Sequence, residues 1–340
     1  MQKRNALMSK KIKMGLFGVG HLGRIHLKCL LELHDVFEFI GFYDPNSNNA
    51  DEAVEKFGVK SFESEAELME SCDAVDIVAP TNFHFTLAMN AIEKGKHIFI
   101  EKPICSTPQE AYKILNAANK KQIKGQVGFV ERFNPAFTSL NGHSIQPKFI
   151  EAHRMSVFNP RGTDVSVVLD LMIHDLDILL KLVDAPVYKI YANGVAVLSD
   201  TEDIANARIE FENGTVANIT ASRISIKPMR KFRLFQPDAY ISMDFLDKKT
   251  EIIRLLDSND AGNENLMELE TSSGKKYLEF EVPESEPVNA IKTELKLFAD
   301  SIIQDKETSV PLYDGVVALE LAHDILAEIE KNRKNQHAKS

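Results

Sequence analysis

The stretch His97-Ile98-Phe99-Ile100-Glu101-Lys102-Pro103 is a β-branched and aromatic run that stops abruptly at a charged pair and a proline. A short apolar run with such punctuation reads as a buried parallel strand. Lys102 then stands at a strand's carboxyl end, the edge of an open α/β sheet where strand ends and following loops form a ligand crevice. Pro103 removes a backbone donor, keeps Lys102 out of the α conformation and makes a cis bond accessible, so the ammonium is held where the chain turns. A lysine at a strand end also fits an ordinary surface position, so the flanking sequence has to decide.

Upstream, Ile12 to Phe17 forms an apolar strand that runs into Gly18-Val19-Gly20-His21-Leu22-Gly23, after which Leu22, Ile25, His26, Cys29 and Leu30 repeat at helical spacing. This is strand, Gly-x-Gly-x-x-Gly, helix. Gly18 suits the tight turn, Gly20 lets a pyrophosphate approach backbone amides at a helix N-terminus, and Gly23 permits close helix–strand packing. The spacing makes Gly18, Gly20, His21, Leu22 and Gly23 a cofactor-binding turn. A second strand, Val36 to Tyr43, ends in Asp44, twenty-one residues past Gly23, where a carboxylate accepts adenosine ribose hydroxyls and repels a 2′-phosphate. No Arg or Lys occurs from Pro45 to Glu55, so NAD is expected over NADP.

Helical signals from Asn49 to Phe57, Ser64 to Glu70, Asn82 to Lys94 and Thr107 to Lys120 alternate with strands Ala74 to Val78, His97 to Glu101 and Lys124 to Val130. Such alternation predicts a doubly wound parallel sheet. Thr81 or Asn82 is placed to cap its helix and face the cofactor. His84 is read as a packing histidine with a possible ligand contact, and Cys105 as a thiol near the turn or a buried spectator.

The whole chain has 340 residues, which suits two domains, with 26% charged residues and a formal net charge of −10. That charge disfavours a nucleic-acid or anionic-membrane surface as partner. No run approaches the roughly 18 apolar residues of a membrane span, and no leader pattern is evident. Three cysteines without Cys-x-x-Cys spacing argue against disulfides and structural zinc, and for the cytoplasm. Met1 to Ser9 reads as a frayed tail, as does Asn332 to Ser340.

After Glu131 one helix, Asp164 to Leu182, is followed by many strands: Val187 to Val197, Ile204 to Phe211, Thr215 to Arg223, Lys231 to Phe235, Ala239 to Phe245, Glu251 to Leu255 and Lys275 to Phe280. With Phe149 to Val157 and the Asn213-Gly214 hairpin signal, they predict a large, mostly antiparallel sheet. Its open face needs cover, so a homodimer or homotetramer through the C-terminal sheet is expected. Two amphipathic helices, Val288 to Ile303 and Tyr313 to Asn332, close the chain. The expected division is residues 10–126 for dinucleotide binding and 127–340 for substrate and assembly.

Gly18 to Gly23, Asp44, Pro80-Thr81-Asn82-Phe83-His84 and Gly95 through Glu101-Lys102-Pro103, in that order, resemble the Gfo/Idh/MocA family of sugar and polyol oxidoreductases. The resemblance covers nearly the whole chain. It implies an N-terminal Rossmann domain and a C-terminal α/β domain whose sheet walls the active site. It also gives Lys102, with Glu101, a place beside the nicotinamide and the reacting hydroxyl.

Asp170 and His174 match the family's Asp-x-x-x-His pairing, four apart on one helical face, which implies that they face substrate beside Lys102. Imidazole suits removal of a hydroxyl proton near neutral pH, and an ammonium suits stabilisation of developing alkoxide charge. Val165 to Leu169 lacks the glycines of the commoner family pattern, and Met172 stands where another glycine is usual. In this the chain resembles a branch acting on nucleotide-linked amino sugars, which includes UDP-N-acetylglucosamine 3-dehydrogenases. Arg154 and Arg161 are then candidates for binding a diphosphate. His174-Asp175-x-Asp177 is not read as a metal site, because neighbouring positions point to different helix faces. The expectation is an NAD-dependent dehydrogenase of a secondary sugar hydroxyl. A noncatalytic NAD-sensing regulator and a reductase of a nonsugar carbonyl such as a linear tetrapyrrole are the alternatives.

Overall fold

Two compact units account for the chain in the computed structural model, which describes residues 11–159, 165–258, 266–272, 274–284, 286 and 288–337. The first gathers the described residues up to Val130 together with Asn289–Val317, and the second holds Glu131–Val288 and the chain from Ala318 onward.

In the first unit the alternating pattern becomes β1 (Ile12–Phe17), α1 (His21–Glu32), β2 (Phe37–Tyr43), α2 (Ser47–Phe57), α3 (Glu65–Ser71), β3 (Ala74–Ile77), α4 (Thr81–Glu93), β4 (His97–Glu101), α5 (Pro108–Lys121) and β5 (Gly125–Gly128). All strand pairs are parallel, in the order β2-β1-β3-β4-β5. Local signals set the helix ends. Asn46 and Ser64 cap α2 and α3, and Thr107 and Glu110 form a reciprocal capping box around Pro108 at the start of α5. Register aligns Phe17, Tyr43 and Ile77 along one edge, with Glu101 opposite Gly128, so the strand ends that carry the candidate residues share one rim.

Right-handed crossovers explain the layering. The chain moves one way from β1 to β2 and the other way through β3, β4 and β5, which leaves α1 as the only helix the first five strands put on its face. Helix α8 (Ala290–Ile303) fills the rest of that face. It packs on α1, β4 and β5, with Leu295, Phe298 and Ala299 buried among Leu27, Leu30 and Phe99. Gln126 Nε2 donates to the Glu294 carbonyl (2.9 Å) and Thr308 Oγ1 to the Gly125 carbonyl (2.7 Å). The expectation that residues 127–340 form one separate domain is therefore corrected, since residues 289–317 complete the first unit.

The second unit is built on a sheet of nine described strands: β6 (Phe149–Met155), β7 (Val187–Val195), β8 (Ile204–Phe211), β9 (Val216–Ser222), β10 (Met229–Gln236), β11 (Ala239–Asp244), β12 (Lys249–Leu256), β13 (Met267–Thr271) and β14 (Gly274–Glu281). Their order is β13-β14-β12-β11-β10-β6-β9-β8-β7, antiparallel except for the pair β6 and β9. Gly214, at φ +80°, makes the β8–β9 turn that Asn213-Gly214 predicts. One face of the sheet packs on a short helix α6 (Pro135–Thr138), a π-helical turn at Val168–Met172, α7 (Ile173–Leu182) and the second-unit part of α9 (Leu312–His337).

Strand β13 is missed by the sequence reading: Met267-Glu268-Leu269-Glu270 alternates as a strand does, but the strand is only five residues long and mostly exposed. Helix α9 also runs beyond Asn332, where a frayed tail is expected. There Asn332 Nδ2 donates to the Ala192 carbonyl (2.9 Å) and Arg333 pairs with Glu202, and these partners anchor the last turns. The tail expected at Met1 to Ser9 lies outside the described residues.

Candidate active site

The glycine-rich turn is the best-defined part of the site. Gly18 has φ +90°, and a Cβ there would meet Ala79 backbone nitrogen at 2.9 Å. A Cβ on Gly23 would lie 2.0 Å from the Gly18 carbonyl oxygen, so helix and strand meet at backbone distance. Gly20 is different: no atom lies within 4 Å of its Cβ position, so the space above it is open. Gly20 is also the N-cap of α1 and no side chain caps the helix, which leaves its first amides available to an anion.

A cavity of about 610 Å³ opens over this turn, lined among others by Gly18, Gly20, His21, Leu22, Gly23 and Asp44. Asp44 is fixed within it: Oδ2 accepts the Val19 amide (2.8 Å) and Oδ1 the Asn46 amide (2.9 Å). Oδ2 also accepts from Asn49 Nδ2 (3.5 Å), so Oδ1 is the oxygen with a further lone pair for a ribose hydroxyl. Tyr43, Asn46, Asn49, Pro80 and Phe83 also line the cavity, and sequence reasoning did not single them out for this. Their signal lay in their place at the carboxyl ends of β2 and β3 or in the first turns of the helices that follow. A dinucleotide fits these residues, because the open Gly20 position, the uncapped amides and the oriented carboxylate are the three features its pyrophosphate and ribose need.

Beyond the cavity the predicted residues separate. Thr81 and Asn82 open α4, but the N-cap is Pro80 and no side-chain hydrogen bond closes it. The expected capping role fails because Thr81 is already the first helical residue, one place too late. His84 is buried, its ring lying between the Ala79 carbonyl (2.7 Å from Nε2) and the Pro103 carbonyl (3.0 Å from Nδ1). Burial lowers its pKa, against the two carbonyls, which both call for a donor and raise it. The reading of His84 as a cofactor contact gives way to that of a strut between the end of β3 and the turn after Lys102.

Lys102 is partly exposed, its bond to Pro103 is cis, and its amide donates to Glu101 Oε2 (3.2 Å). Cys105 is fully buried, with its thiol pushed up to about 12 by burial, so it behaves as a spectator.

In the second unit Asp170 and His174 straddle the end of the π-helical turn at Val168–Met172 and the start of α7, both partly exposed. The expected straight α-helical face is thus corrected to a π turn, a distortion that recurs at functional sites because it re-aims side chains.

Arg154 is not the exposed fork that diphosphate binding requires. It is 3% exposed, with Nε and Nη2 on the two oxygens of Asp175 (2.9 Å each) and Nη1 on Glu131 Oε1 (2.9 Å). Two buried carboxylates need this cation, so its reading as a ligand residue is corrected to an internal ion pair. Asp177 is likewise held by Arg132 through two 2.7 Å bonds. Arg161 lies outside the described residues.

No helix among the described residues is long and apolar enough to cross a membrane. Over 242 residues, 71% of this chain and 76% of the relative, the sequence is 37% identical to UDP-N-acetylglucosamine 3-dehydrogenase of Acidithiobacillus ferrooxidans. A solved structure of UDP-N-acetylglucosamine 3-dehydrogenase from that organism superposes with a TM-score of 0.84 at 31% identity, covering 95% of this chain and 99% of that one. The chain is also 27% identical to scyllo-inositol 2-dehydrogenase (NAD(+)) of Bacillus subtilis over 237 residues, 64% of this chain and 69% of the relative. Residues 12–129 match the oxidoreductase family with an NAD-binding Rossmann fold, and residues 125–240 match the GFO/IDH/MocA C-terminal domain. With its nicotinamide-dinucleotide turn and both domains accounted for, the chain belongs to the Gfo/Idh/MocA family of oxidoreductases.

Proposed function

We propose that the protein is an NAD-dependent dehydrogenase that oxidises a secondary hydroxyl of a nucleotide-linked sugar, of the UDP-N-acetylhexosamine class, to a ketone. The observation that carries this reading is the 37% identity to UDP-N-acetylglucosamine 3-dehydrogenase. It is joined by the absence of glycine from Val165 to Leu169, ahead of Asp170.

Gly18, Gly20, Gly23 and the first amides of α1 would hold the pyrophosphate. Asp44 would accept the adenosine ribose hydroxyls, and with no Arg or Lys from Pro45 to Glu55 a 2′-phosphate would meet an uncompensated carboxylate. The bound nicotinamide supplies the hydride acceptor. His174 takes the hydroxyl proton, Lys102 stabilises the alkoxide character that grows as the carbon loses hydride, and Asp170 orients the hydroxyl or the lysine. The reverse reduction uses the same groups.

The uncovered face of the large sheet supports assembly into a dimer or tetramer. Phe149, Phe235 and Tyr240 form an aromatic row there, with ring centroids 5.8 and 5.0 Å apart, and Tyr191, Phe235 and Phe280 are exposed.

The test is a panel of UDP-sugars and free polyols with NAD or NADP, followed by NADH formation and product mass. A UDP-N-acetylhexosamine oxidised with NAD is the expected result. Preference for a free polyol, or turnover with NADP alone, would contradict it.

A further inference from the structure

The face of the first unit covered by α1 and α8 holds a row of ionisable groups that neither cofactor binding nor proton removal uses. His26 of α1, Asp76 of β3 and Glu294 of α8 are completely buried, and Glu101 of β4 nearly so. His26 Nδ1 is hydrogen-bonded to Asp76 Oδ2 (2.9 Å), and its Nε2 lies 3.2 Å from Glu101 Oε1, an ion-pair distance without hydrogen-bond geometry. Single ligating atoms of His26, Glu101 and Glu294 all fall within 4.8 Å of one another. Strand β5 makes room for this: a Cβ at Gly128 would meet the Glu101 carboxylate, which would have to move from its place beside His26.

Three carboxyl groups and one imidazole cannot all be ionised in a dry layer. Hydrogen bonding bears on which group is neutral: His26 Nε2 and Asp76 Oδ1 lack a hydrogen-bond partner, and so do both side-chain oxygens of Glu294. Glu101 Oε2 accepts the Lys102 amide, and Asp76 faces the imidazole. Neither side-chain oxygen of Glu294 receives a hydrogen bond, although Gln126 stands beside it and donates to its main-chain carbonyl. Of the three carboxyl groups Glu294 alone has no hydrogen bond at either oxygen, so it is the one least stabilised as a carboxylate.

We infer that His26, Asp76, Glu101 and Glu294 form one proton-sharing unit, with His26 an imidazolium between two carboxylates and Glu294 a neutral acid, that fixes Glu101 and through it the Lys102 turn. These four are positioning residues, and their link to catalysis rests on the role proposed for Lys102. Burial opposes a charged His26, but Asp76 and Glu101 more than reverse it and raise its pKa. Burial and the charges of Glu101 and Asp76 raise Glu294, against His26. The other titratable groups that feel the cluster are Cys29 of α1, beside His26, and His84 of α4, which senses Glu101. Strand β5 presents only Gln126 and Gly128.

The sign for stability follows. Glu294 has its pKa raised on folding, so its contribution is complete below the ordinary glutamate range and is lost as pH rises through the folded value. Glu294→Gln keeps the shape and a donor but has no proton to lose. The melting temperature of the wild type should therefore fall relative to Glu294→Gln, the gap widening by at least about 2–4 °C between about pH 5 and about pH 8.

Infrared spectra of the cofactor-free protein at neutral pH should show a protonated carboxyl band that Glu294→Gln removes, and nitrogen-15 spectra of the wild type should show His26 as imidazolium. With NAD and UDP-N-acetylglucosamine, wild-type kcat should decline at alkaline pH while that of Glu294→Gln stays level. A neutral His26, no such infrared band, or a metal ion bound at one per chain would overturn the proton-sharing unit. Alkaline limbs that fall in step would overturn its link to Lys102. A wild type without turnover would refute the proposed activity instead, and the spectra would still decide the cluster.

Discussion

Asp44 is structural, and on the proposed function it is selective as well. Its bonds to the Val19 and Asn46 amides tie the end of β2 to the glycine turn, and the residue lines the cavity. Asp44→Ala should weaken NAD binding and narrow the preference for NAD over NADP, because it removes both the ribose acceptor and the repulsion of a 2′-phosphate. Titration of both dinucleotides by fluorescence checks this, and an unchanged ratio of affinities would contradict it. On the proposed mechanism Lys102→Met and His174→Ala act on chemistry instead. Each should lower kcat by about 10²- to 10⁴-fold with NAD affinity nearly intact. His174→Ala should also lose the acidic limb of the pH–rate profile, since a protonated imidazole cannot accept the sugar's proton. A wild-type profile in that variant would remove His174 from the mechanism.

At the scale of elements, what was legible in the sequence was whatever local chemistry decides. The helices expected from near Ser64 and Thr107, the Asn213-Gly214 turn and the strand ending at Glu101 appear where their residue types predict, whereas the helix expected from Asn49 already begins at Ser47 behind an Asn46 cap. What escaped depends on partners far along the chain. Helix α8 returns to the first unit because α1 leaves part of one face bare, and no local signal in residues 290–303 says so. The π turn before His174 inserts a change of pitch without a glycine or proline to announce it. Arg154 was misread for the same reason: alternation along β6 marks its face, but its partners Glu131 and Asp175 come from other elements. Arg154→Ala should consequently act on stability, at a cost of about 3–5 kcal/mol for stranding the buried Asp175, since Glu131 keeps Arg230 and Asn134. Denaturant unfolding measures it. A stable variant with only a raised KM for nucleotide sugar would restore the ligand reading.

For the whole molecule, the doubly wound unit and the large sheet were both legible from the switch of pattern after Glu131, and the proposed assembly rests on the aromatic residues exposed on that sheet among the described residues. If copies of the chain pair through it, Phe235→Glu or Phe280→Glu should shift the mass seen by light scattering toward the monomer. An unchanged mass for both would place the interface elsewhere. The central claim is that this chain moves hydride between a nucleotide sugar and NAD. The most direct measurement supplies UDP-N-acetylglucosamine deuterated at C3 with NAD and follows the label by mass spectrometry. Deuterium appearing in the reduced dinucleotide, with a keto sugar lighter by that deuterium and the hydroxyl proton, is the predicted result; label retained on an unoxidised sugar, under conditions where NAD is bound, would contradict the account.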